Sequence, residues 1–289
     1  MFRLLFIIFL HFIFIFRIKF VLCENNDIST VCDCNCDVDI EIVKTVMEDM
    51  KDMKKTTDNI EKQLIAKRAS KSSSCLEAAA NSWKSGVYEI QIEKINITNV
   101  KMFCEEDVDF GGWIVIQRRQ NGTVDFNRDW HDYKEGFGDL TGNYWIGLEK
   151  LHAITSSCEQ ELYIQMKSRN GTEYYAKYSA LLIADEIEGY ALKKLGNYSG
   201  NAGDSLNRHL GYKFSTRDRD NDAHENYNCA EGWKGGWWFF KCYNCFLNGV
   251  YGDNVKWNKI HQNETLAFAQ MMIRPTPKCF RRLMLSNLN

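Results

Sequence analysis

Proline and internal repetition are both scarce in this chain. Only two prolines occur among 289 residues, Pro275 and Pro277, so turns elsewhere must depend on Gly, Asn and Asp. No segment of roughly 20 to 50 residues recurs along the chain, which argues against solenoid and propeller architectures. Collagen-like repeats are absent as well. A chain of this length could hold one large domain or two modest ones.

A charge excess of either sign is also missing. Lys and Arg total 36 against 38 Asp and Glu, a formal net charge of -2, so no overall field favours nucleic acid or an anionic membrane. Hydrophobic residues make up 45% of the chain and aromatic residues 13%, which is enough to build a core. The composition predicts a globular protein that binds no nucleic acid.

Catalytic motifs are absent from the sequence. It has no Gly-x-Ser-x-Gly elbow, no His-Glu-x-x-His motif and no P-loop, each of which places reactive groups at a fixed spacing. The histidines beyond the N-terminal segment fall in no catalytic pattern; they are His131, His152, His209, His224 and His261. The sequence predicts a binding protein and not an enzyme.

The N-terminal segment has the pattern of a secretory signal. A basic residue precedes the apolar run over residues 4–16, and small residues precede a cleavage point before Glu24. Residues 1–23 are therefore predicted to be a signal peptide. The alternative is an uncleaved membrane anchor over residues 4–22, which the two cations inside that segment disfavour. We expect a secreted, extracellular protein with no membrane insertion after cleavage.

Cysteines and glycosylation sequons indicate the same compartment. The chain has 11 cysteines, and removal of Cys23 with the signal leaves an even number, as a set of disulfides requires. Five sequons have no intervening proline; they are Asn96, Asn121, Asn170, Asn197 and Asn263. We expect a disulfide-bonded glycoprotein.

Residues 24–66 are predicted to form a stalk. Apolar residues follow one another there at alternating steps of three and four, the a/d pattern of a coiled coil. They are Val43, Val46, Met50, Met53, Thr57, Ile60 and Leu64. The charged residues between them favour a homo-oligomeric coiled coil over a lone amphipathic helix packed on the head. Upstream, Cys32, Cys34 and Cys36 would link neighbouring chains, or else pair locally or bind a metal.

A polar, Ser-rich linker is predicted at residues 67–74. From Cys75 onward the pattern is that of one domain with both helices and strands, and apolar alternation predicts strands at 113–117 and 161–166. A long stretch rich in Gly, Asn, Asp and aromatic residues follows at 215–251. Loops of this composition frequently carry function.

Within that stretch Asp218, Asp220 and Asp222 alternate. Carboxylates at two-residue spacing on an irregular loop suit Ca²⁺, a hard cation that prefers several oxygen ligands. A solvated acidic turn is the alternative. An EF-hand is excluded, because Ala223 stands where that motif requires Gly and Cys229 where it requires a bidentate Glu.

Short motifs occur in a definite order between residues 75 and 275. They are Gly111-Gly112-Trp113, Gln117-Arg118-Arg119, Val124-Asp125-Phe126, Tyr144-Trp145-Ile146-Gly147-Leu148, Ala202-Gly203-Asp204-Ser205-Leu206, Asn228-Cys229-Ala230, Gly235-Gly236-Trp237-Trp238 and Leu247-Asn248-Gly249-Val250-Tyr251. In order and content they resemble the fibrinogen C-terminal domain family, which includes fibrinogen β and γ chains, ficolins, tachylectins, tenascins and angiopoietins.

The resemblance implies an α+β fold, preceded here by the short coiled coil. A small N-terminal subdomain, a central mixed or antiparallel sheet and a loop-rich calcium and ligand subdomain would occupy residues 75–275. Residues 276–289 would be a C-terminal tail. The resemblance also implies two bridges and a non-proline cis peptide before the last of their cysteines. The bridges are Cys75 to Cys104 and Cys229 to Cys242.

The resemblance further implies a calcium site. In the family the ligands come from the second and third acids of the triplet and from two backbone carbonyls beyond them. Here these positions correspond to the side chains of Asp220 and Asp222 and the carbonyl oxygens of His224 and Asn226. The interval from Asp222 to Cys229 is one residue longer than the family's usual spacing. The two carbonyl ligands could therefore be shifted by a residue along the chain.

A ligand pocket is implied beside the second bridge, where ficolin-like members bind acetyl groups. Trp233, Tyr243 and Phe246 would line it, and aromatic rings suit an acetyl methyl or a sugar face. The alternative is that these three residues are ordinary aromatic residues of the core or its rim and bind no ligand. The chain departs from the ficolin pattern, because Tyr243 replaces a histidine and residues 259–265 lack the family's tyrosines.

Three cysteines lie outside the two implied bridges, namely Cys158, Cys245 and Cys279. Three cannot all pair within one domain, so we expect one to be free or bonded to another chain. The spacing of Cys242 and Cys245 matches a Cys-x-x-Cys redox motif, but the βαβ context of such motifs is missing.

Two functions fit this pattern. The first is a secreted, oligomeric, calcium-binding lectin of innate immunity, which recognises glycans on microbial or cell surfaces and gains affinity through multivalency. The second is an angiopoietin-like signalling ligand, whose head binds a cell-surface receptor protein. A third, less favoured, is a membrane-anchored receptor that keeps residues 4–22.

Overall fold

The structure is a computed structural model that describes residues 40–69, 72–92, 97–260 and 265–286. The predicted signal peptide, the cluster from Cys32 to Cys36 and the sequons at Asn96 and Asn263 lie outside these residues. None of the helices within the described ranges is long and apolar enough to span a lipid bilayer.

The stalk segment forms one helix, α1, over Ile40–Ala69. Apolar side chains of the predicted seam are exposed along it, among them Met50 (43%), Met53 (63%) and Ile60 (52%). Exposed apolar residues at this spacing form the surface that a second helix covers in a coiled coil, and the pairing itself stays a prediction. The helix continues to Ala69 instead of ending at residue 66, because Lys, Arg and Ala are strong helix formers.

The head combines short helices with a ten-stranded sheet. The helices are α2 (Cys75–Ala78), α3 (Trp130–Glu135), α4 (Leu148–Ser157), α5 (Cys229–Trp233) and α6 (Pro277–Ser286). The strands are β1 (Gly86–Ile92), β2 (Ile97–Glu105), β3 (Trp113–Arg119), β4 (Phe137–Gly138), β5 (Tyr144–Trp145), β6 (Gln160–Ser168), β7 (Glu173–Ile183), β8 (Leu192–Leu195), β9 (Tyr198–Gly200), β10 (Cys245–Phe246), β11 (Lys256–Trp257) and β12 (Leu266–Pro275).

The sheet is antiparallel in each of its strand pairings. Its order is β1-β2-β3-β12-β6-β7-β8, with β4, β5 and β9 at the sides, and β10 pairs with β11 in a separate small sheet. The strands predicted at 113–117 and 161–166 are confirmed as parts of β3 and β6. The predicted α+β class is confirmed, and the sheet is antiparallel rather than mixed.

The core follows from the alternation of apolar residues along the strands. In β6, Leu162, Ile164 and Met166 are fully buried while the residues between them are half-buried or exposed. β12 lies between β3 and β6, with Met271 opposite Gln117 on one side and Ile164 on the other. The last of the described strands is therefore at the centre of the sheet.

An aromatic cluster joins the sheet to the loops that follow it. The rings of Tyr133 and Trp145 are 5.6 Å apart, those of Tyr133 and Phe214 5.1 Å, and those of Phe214 and Trp238 5.2 Å. A Cβ at Gly236 would lie 2.6 Å from the ring of Phe214 and 2.8 Å from that of Tyr133. The close packing of these rings therefore requires glycine at position 236.

Three disulfides lie within the described residues. They are Cys75–Cys104, Cys229–Cys242 and Cys158–Cys279, with Cα–Cα distances of 5.4, 5.4 and 5.6 Å. The first two confirm the implied bridges, and the third attaches α6 to the end of α4. Residues 276–289, expected to be a simple tail, thus contain a covalently attached helix. Cys245 is free and fully buried, so it cannot reach another chain in this fold.

Candidate functional site

Buried polar residues of β3 fix the loop beyond the second bridge. Gln117 Nε2 donates hydrogen bonds to the carbonyl of Leu247 (2.9 Å) and to Oδ1 of Asn248 (3.0 Å). Asn248 Nδ2 in turn donates to the carbonyl of Gly236 (3.0 Å). Arg119 also donates to the Leu247 carbonyl, and burial lowers the pKa of its guanidinium to about 10. Two members of the Gln117-Arg118-Arg119 motif, Gln117 and Arg119, thus support this loop.

The acidic loop is anchored through Asn221. Asn221 Nδ2 donates to the carbonyl of Phe214 (2.8 Å), and its N–H donates to Oγ of Ser215 (3.1 Å). These two bonds hold Asn221, the residue between Asp220 and Asp222, against residues 214 and 215.

The carboxyl groups of Asp220 and Asp222 lie together. Asp220 Oδ1 accepts the N–H of Asp222 (3.1 Å), and the two oxygens of Asp222 accept the N–H groups of His224 (2.7 Å) and Cys229 (2.8 Å). Burial raises the pKa of Asp222, and the adjacent Asp220 raises it further, against the lowering effect of those N–H groups. Two carboxylates this close repel one another unless a cation joins them. Their oxygens are the ligands that Ca²⁺ prefers, so the pair fits calcium.

The other two predicted ligands, His224 and Asn226, lie on the exposed part of the same loop. The imidazole of His224 packs edge-on against Tyr227, with ring centroids 5.6 Å apart. Within the described ranges no three or more His, Cys, Asp and Glu side chains form a metal-holding group. A calcium ion here would therefore need backbone and water oxygens as ligands in addition to the two carboxylates. Binding through the two carbonyls stays a prediction.

Asp218, the first acid of the triplet, stands apart from this pair. Its Oδ1 accepts the N–H of Trp130 (2.9 Å) and the hydroxyl of Thr216 (2.7 Å). It connects the acidic loop to the start of α3 and does not join the carboxylate pair.

The predicted aromatic lining is assembled as a ladder of three rings. Trp233 and Tyr243 are both half-buried, with ring centroids 5.1 Å apart in an edge-to-face contact. Tyr243 also contacts Phe246 at 5.3 Å, and Phe246 is fully buried. Burial raises the pKa of the Tyr243 hydroxyl, which keeps it protonated and able to donate. A ligand would meet Trp233 and Tyr243, with Phe246 supporting them from below.

The second bridge joins the acidic loop to the aromatic ladder. Cys229 begins α5, whose cap Asn228 accepts the N–H of Glu231 (3.0 Å) and whose last residue is Trp233. Its partner Cys242 follows a cis peptide bond after Lys241, as the resemblance implies, and directly precedes Tyr243. The disulfide therefore connects Cys229, whose N–H bonds to the Asp222 carboxylate, to the residue that precedes the half-buried ring of Tyr243.

His209 supports the segment after Cys242, a role that the sequence did not reveal. Its Nε2 accepts the N–H groups of Asn244 (3.1 Å) and Cys245 (3.2 Å), while Nδ1 lies 2.7 Å from the carbonyl of Trp238. Burial lowers the pKa of His209 to about 4. The ring is therefore neutral at physiological pH, with the proton on Nδ1. No local pattern marks this histidine, because its partners lie far along the chain.

Three of the five predicted glycosylation sites fall within the described residues, and all three are exposed: Asn121, Asn170 and Asn197. The side-chain oxygen of Asn121 accepts the N–H of Thr123 (3.1 Å), and that of Asn170 accepts the N–H of Thr172 (2.9 Å). Their positions are compatible with attached glycans, and glycosylation itself stays a prediction.

Curated relatives of known identity share this domain. Tenascin-R of Gallus gallus is 44% identical over 198 residues, which cover 66% of this chain and 14% of that protein. Fibrinogen C domain-containing protein 1 of Homo sapiens is 41% identical over 61% of this chain and 41% of its own length. Angiopoietin-related protein 6 of Mus musculus is 42% identical over 63% of this chain and 41% of its own. The chain thus spans less than half of each of these relatives.

Solved structures show the same fold. The fibrinogen-like globe domain of human ANGPTL2 is 38% identical, with a TM-score of 0.68, over 71% of this chain and 100% of that one. The corresponding domain of human ANGPTL6 is also 38% identical, with a TM-score of 0.67, and the match covers 71% of this chain and 95% of that one. Residues 72–276 match the family described as fibrinogen beta and gamma chains, C-terminal globular domain. The chain therefore belongs to the fibrinogen C-terminal domain family.

Proposed function

We propose that this chain is a secreted, oligomeric recognition protein that binds calcium beside an aromatic ligand surface and recognises glycans on microbial or cell surfaces. The observation that carries the proposal is the hydrogen bond from the Cys229 N–H to Asp222 Oδ2, at 2.8 Å. Cys229 begins the helix that ends at Trp233, and its bridge to Cys242 fixes the residue before Tyr243. The same cysteine therefore supports both the carboxylate pair and the Trp233–Tyr243 rings. Calcium and ligand binding would then be thermodynamically linked.

Oligomerisation is the second part of this proposal. The exposed apolar residues of α1 offer a surface for self-association, and extracellular relatives make secretion the expected route for this chain. A half-buried pair of aromatic rings presents a small contact area, so each head alone would bind weakly. Several heads on one stalk raise the effective affinity for a dense glycan surface without any new contact.

Removing the charge of both carboxylates should greatly weaken calcium binding. We expect the Asp220→Asn, Asp222→Asn double variant to bind Ca²⁺ about 100-fold or more weakly, since a hard cation depends on charged oxygen ligands. Isothermal titration with CaCl₂ measures this. The unaltered chain should also melt at a higher temperature with calcium than with EDTA, because a ligand of the native state stabilises it.

The matched control for the calcium experiment is Glu225→Gln. Glu225 is exposed and lies on the same loop, so this variant removes one carboxylate without touching the pair. Its calcium affinity should stay within about 3-fold of the unaltered chain, as screened surface charges interact weakly. Equal losses in Glu225→Gln and the double variant would show a general effect of loop charge and contradict the assignment of the pair.

Loss of the outer ring of the ladder should weaken ligand binding. Trp233→Ala is expected to reduce glycan binding by about 10-fold or more, because an aromatic anchor supplies much of the contact in a small site. Binding of the full chain to a glycan array, with calcium and with EDTA, provides the measurement. Trp83→Ala is the control, since Trp83 is 70% exposed and precedes β1. Equal losses in both variants would indicate non-specific aromatic adhesion.

A second candidate function is that of a signalling ligand for a receptor protein. It is favoured by the replacement of the family's pocket histidine by Tyr243 and by the absence of tyrosine from residues 259–265. It is also supported by the likeness to the globes of the angiopoietin-related proteins. Nanomolar capture of one cell-surface receptor by a chain that binds no array glycan would establish this function in place of the first.

A further inference from the structure

We propose that Asp218 is a positioning residue for calcium: it does not bind the ion but holds the loop that carries Asp220 and Asp222 against the start of α3. This inference rests on the proposed calcium binding and assigns the residue that organises that site. Three residues directly before the carboxylate pair, Arg217, Asp218 and Arg219, all contact α3 or the residue before it. We refer to these three as the Trp130 clamp.

The first contact of the clamp is a helix cap supplied from a distant part of the chain. The N–H of Trp130 opens α3 and has no acceptor within the helix. Asp129, the residue in the N-cap position, makes no side-chain capping bond, although Asp is a preferred cap. Its Oδ1 instead accepts a hydrogen bond from Arg217 Nε (2.6 Å). Asp218 Oδ1, 88 residues further along the chain, accepts the Trp130 N–H in its place.

The second contact is made with the indole ring. The guanidinium of Arg219 lies over the ring of Trp130, 4.0 Å from its centroid. Glu186 accepts a hydrogen bond from Trp130 Nε1 (2.8 Å) and lies 3.6 Å from Arg219. Lys134 of the same helix also donates to Glu186 (2.6 Å). The backbone, the ring nitrogen and the ring face of Trp130 are thus all engaged.

The clamp is joined directly to the carboxylate pair. Thr216 and Arg219 exchange two backbone hydrogen bonds (3.0 and 3.1 Å), which close a tight turn around the clamp. Asp220 is the next residue. On its far side Asn221 is bonded to the carbonyl of Phe214 (2.8 Å). A displacement of the clamp would therefore move Asp220, whose carboxyl group has to stay beside that of Asp222.

The need for such support follows from electrostatics. Two carboxylates held together without a cation favour separation, or protonation of one of them. A loop that is free to relax would place them apart, and calcium would then have to reassemble them at a cost in affinity. A cap bond between Asp218 and Trp130 resists this relaxation before any ion arrives, which is the general advantage of preorganised ligands.

Substitution of Asp218 by Asn can distinguish a positioning role from direct binding of calcium. Both hydrogen bonds of Asp218 are accepted by one oxygen, Oδ1, and both donors are neutral groups. Asn offers an amide oxygen in the same place and preserves this acceptance without charge. An ion-binding carboxylate cannot be replaced in this way, because calcium depends on its charge. Rescue by Asn therefore distinguishes the two roles.

The experiment compares the full chain with Asp218→Asn, Asp218→Ala and Asp220→Asn. Calcium affinity is measured by isothermal titration, and hydrogen exchange at the Trp130 amide is measured in EDTA. We expect Asp218→Asn to stay within about 3-fold of the unaltered affinity, Asp218→Ala to lose about 10-fold, and Asp220→Asn to lose about 30-fold. The Trp130 amide should exchange faster only in Asp218→Ala, because only that variant removes its acceptor.

Each other outcome overturns the proposal in a recognisable way. Equal losses in Asp218→Asn and Asp220→Asn would show that Asp218 acts through its charge. An unchanged affinity in Asp218→Ala would show that the clamp does not support the site. If the unaltered chain binds no calcium, the proposed function fails together with this inference. Faster Trp130 exchange in Asp218→Ala would in that case show that the cap exists but serves only the fold.

Discussion

Replacing Cys158 and Cys279 together by Ala is expected to lower the free energy of unfolding of the head by about 4 to 5 kcal/mol. This bridge joins residues separated by 121 positions, and a cross-link across so long a loop removes much of the entropy of the unfolded chain. The bridges Cys75–Cys104 and Cys229–Cys242 span 29 and 13 positions, so removing either should cost less, about 3 to 4 kcal/mol. A loss of this size is a large part of the stability of an ordinary domain.

Urea unfolding followed by circular dichroism measures the loss, with the midpoint and slope fitted separately. Cys245→Ala is the matched control, because Cys245 is buried and unpaired. It removes a sulfur from the core without opening a bridge, and we expect a loss of only about 1 kcal/mol. If the double variant is no less stable than this control, the bridge from α4 to α6 does not stabilise the head.

Acidification is expected to destabilise the head through His209. Its pKa is lowered to about 4 in the folded protein, whereas an unperturbed histidine titrates near pH 6.5. The unfolded chain therefore takes up the proton first as the pH falls, and the native state loses stability between these two values. A difference of this size corresponds to about 3 kcal/mol, fully present above pH 6.5 and lost by about pH 4.

His209→Gln isolates this effect. The variant should be less stable at neutral pH, because it cannot reproduce both bonds to the N–H groups of Asn244 and Cys245. It should nevertheless lack the steep loss between pH 6.5 and 4. Unfolding free energies measured at intervals across that range provide the comparison, with the exposed His131→Gln as control. A pH dependence that is the same in all three proteins would assign the acid sensitivity to other groups.

Much of the fold was predictable because it depends on local pattern and on family motifs. Strands β3 and β6 were both predicted, and β6 shows the alternation of a half-buried strand, whereas β3 is buried along its whole length. The two implied bridges followed from the positions of Cys75, Cys104, Cys229 and Cys242 within a recognisable order of motifs. The three residues of the aromatic ladder were predicted, but the sequence did not indicate their order, with Phe246 buried below Tyr243.

The remaining features depend on contacts between distant residues. Nothing in the sequence around Cys158 and Cys279 indicates that these two pair while Cys245 stays free, because the choice is made by the sheet that brings α4 and α6 together. His209 and the Trp130 clamp were missed for the same reason. Their partners lie from 29 to 89 positions away, beyond the reach of periodicity or short motifs.

The order of strands also bears on how the head is made in the cell. β12, over Leu266–Pro275, is the last of the described strands of the head to be synthesised, yet it separates β3 from β6 at the middle of the sheet. Until it arrives, those two strands have no partner between them, and the nascent chain exposes apolar edges that invite aggregation. A premature stop even a few codons before residue 266 would therefore not yield a shortened head. It would yield a chain that lacks the central strand of its sheet and cannot complete its core. Chaperones would retain such a chain or proteases would degrade it.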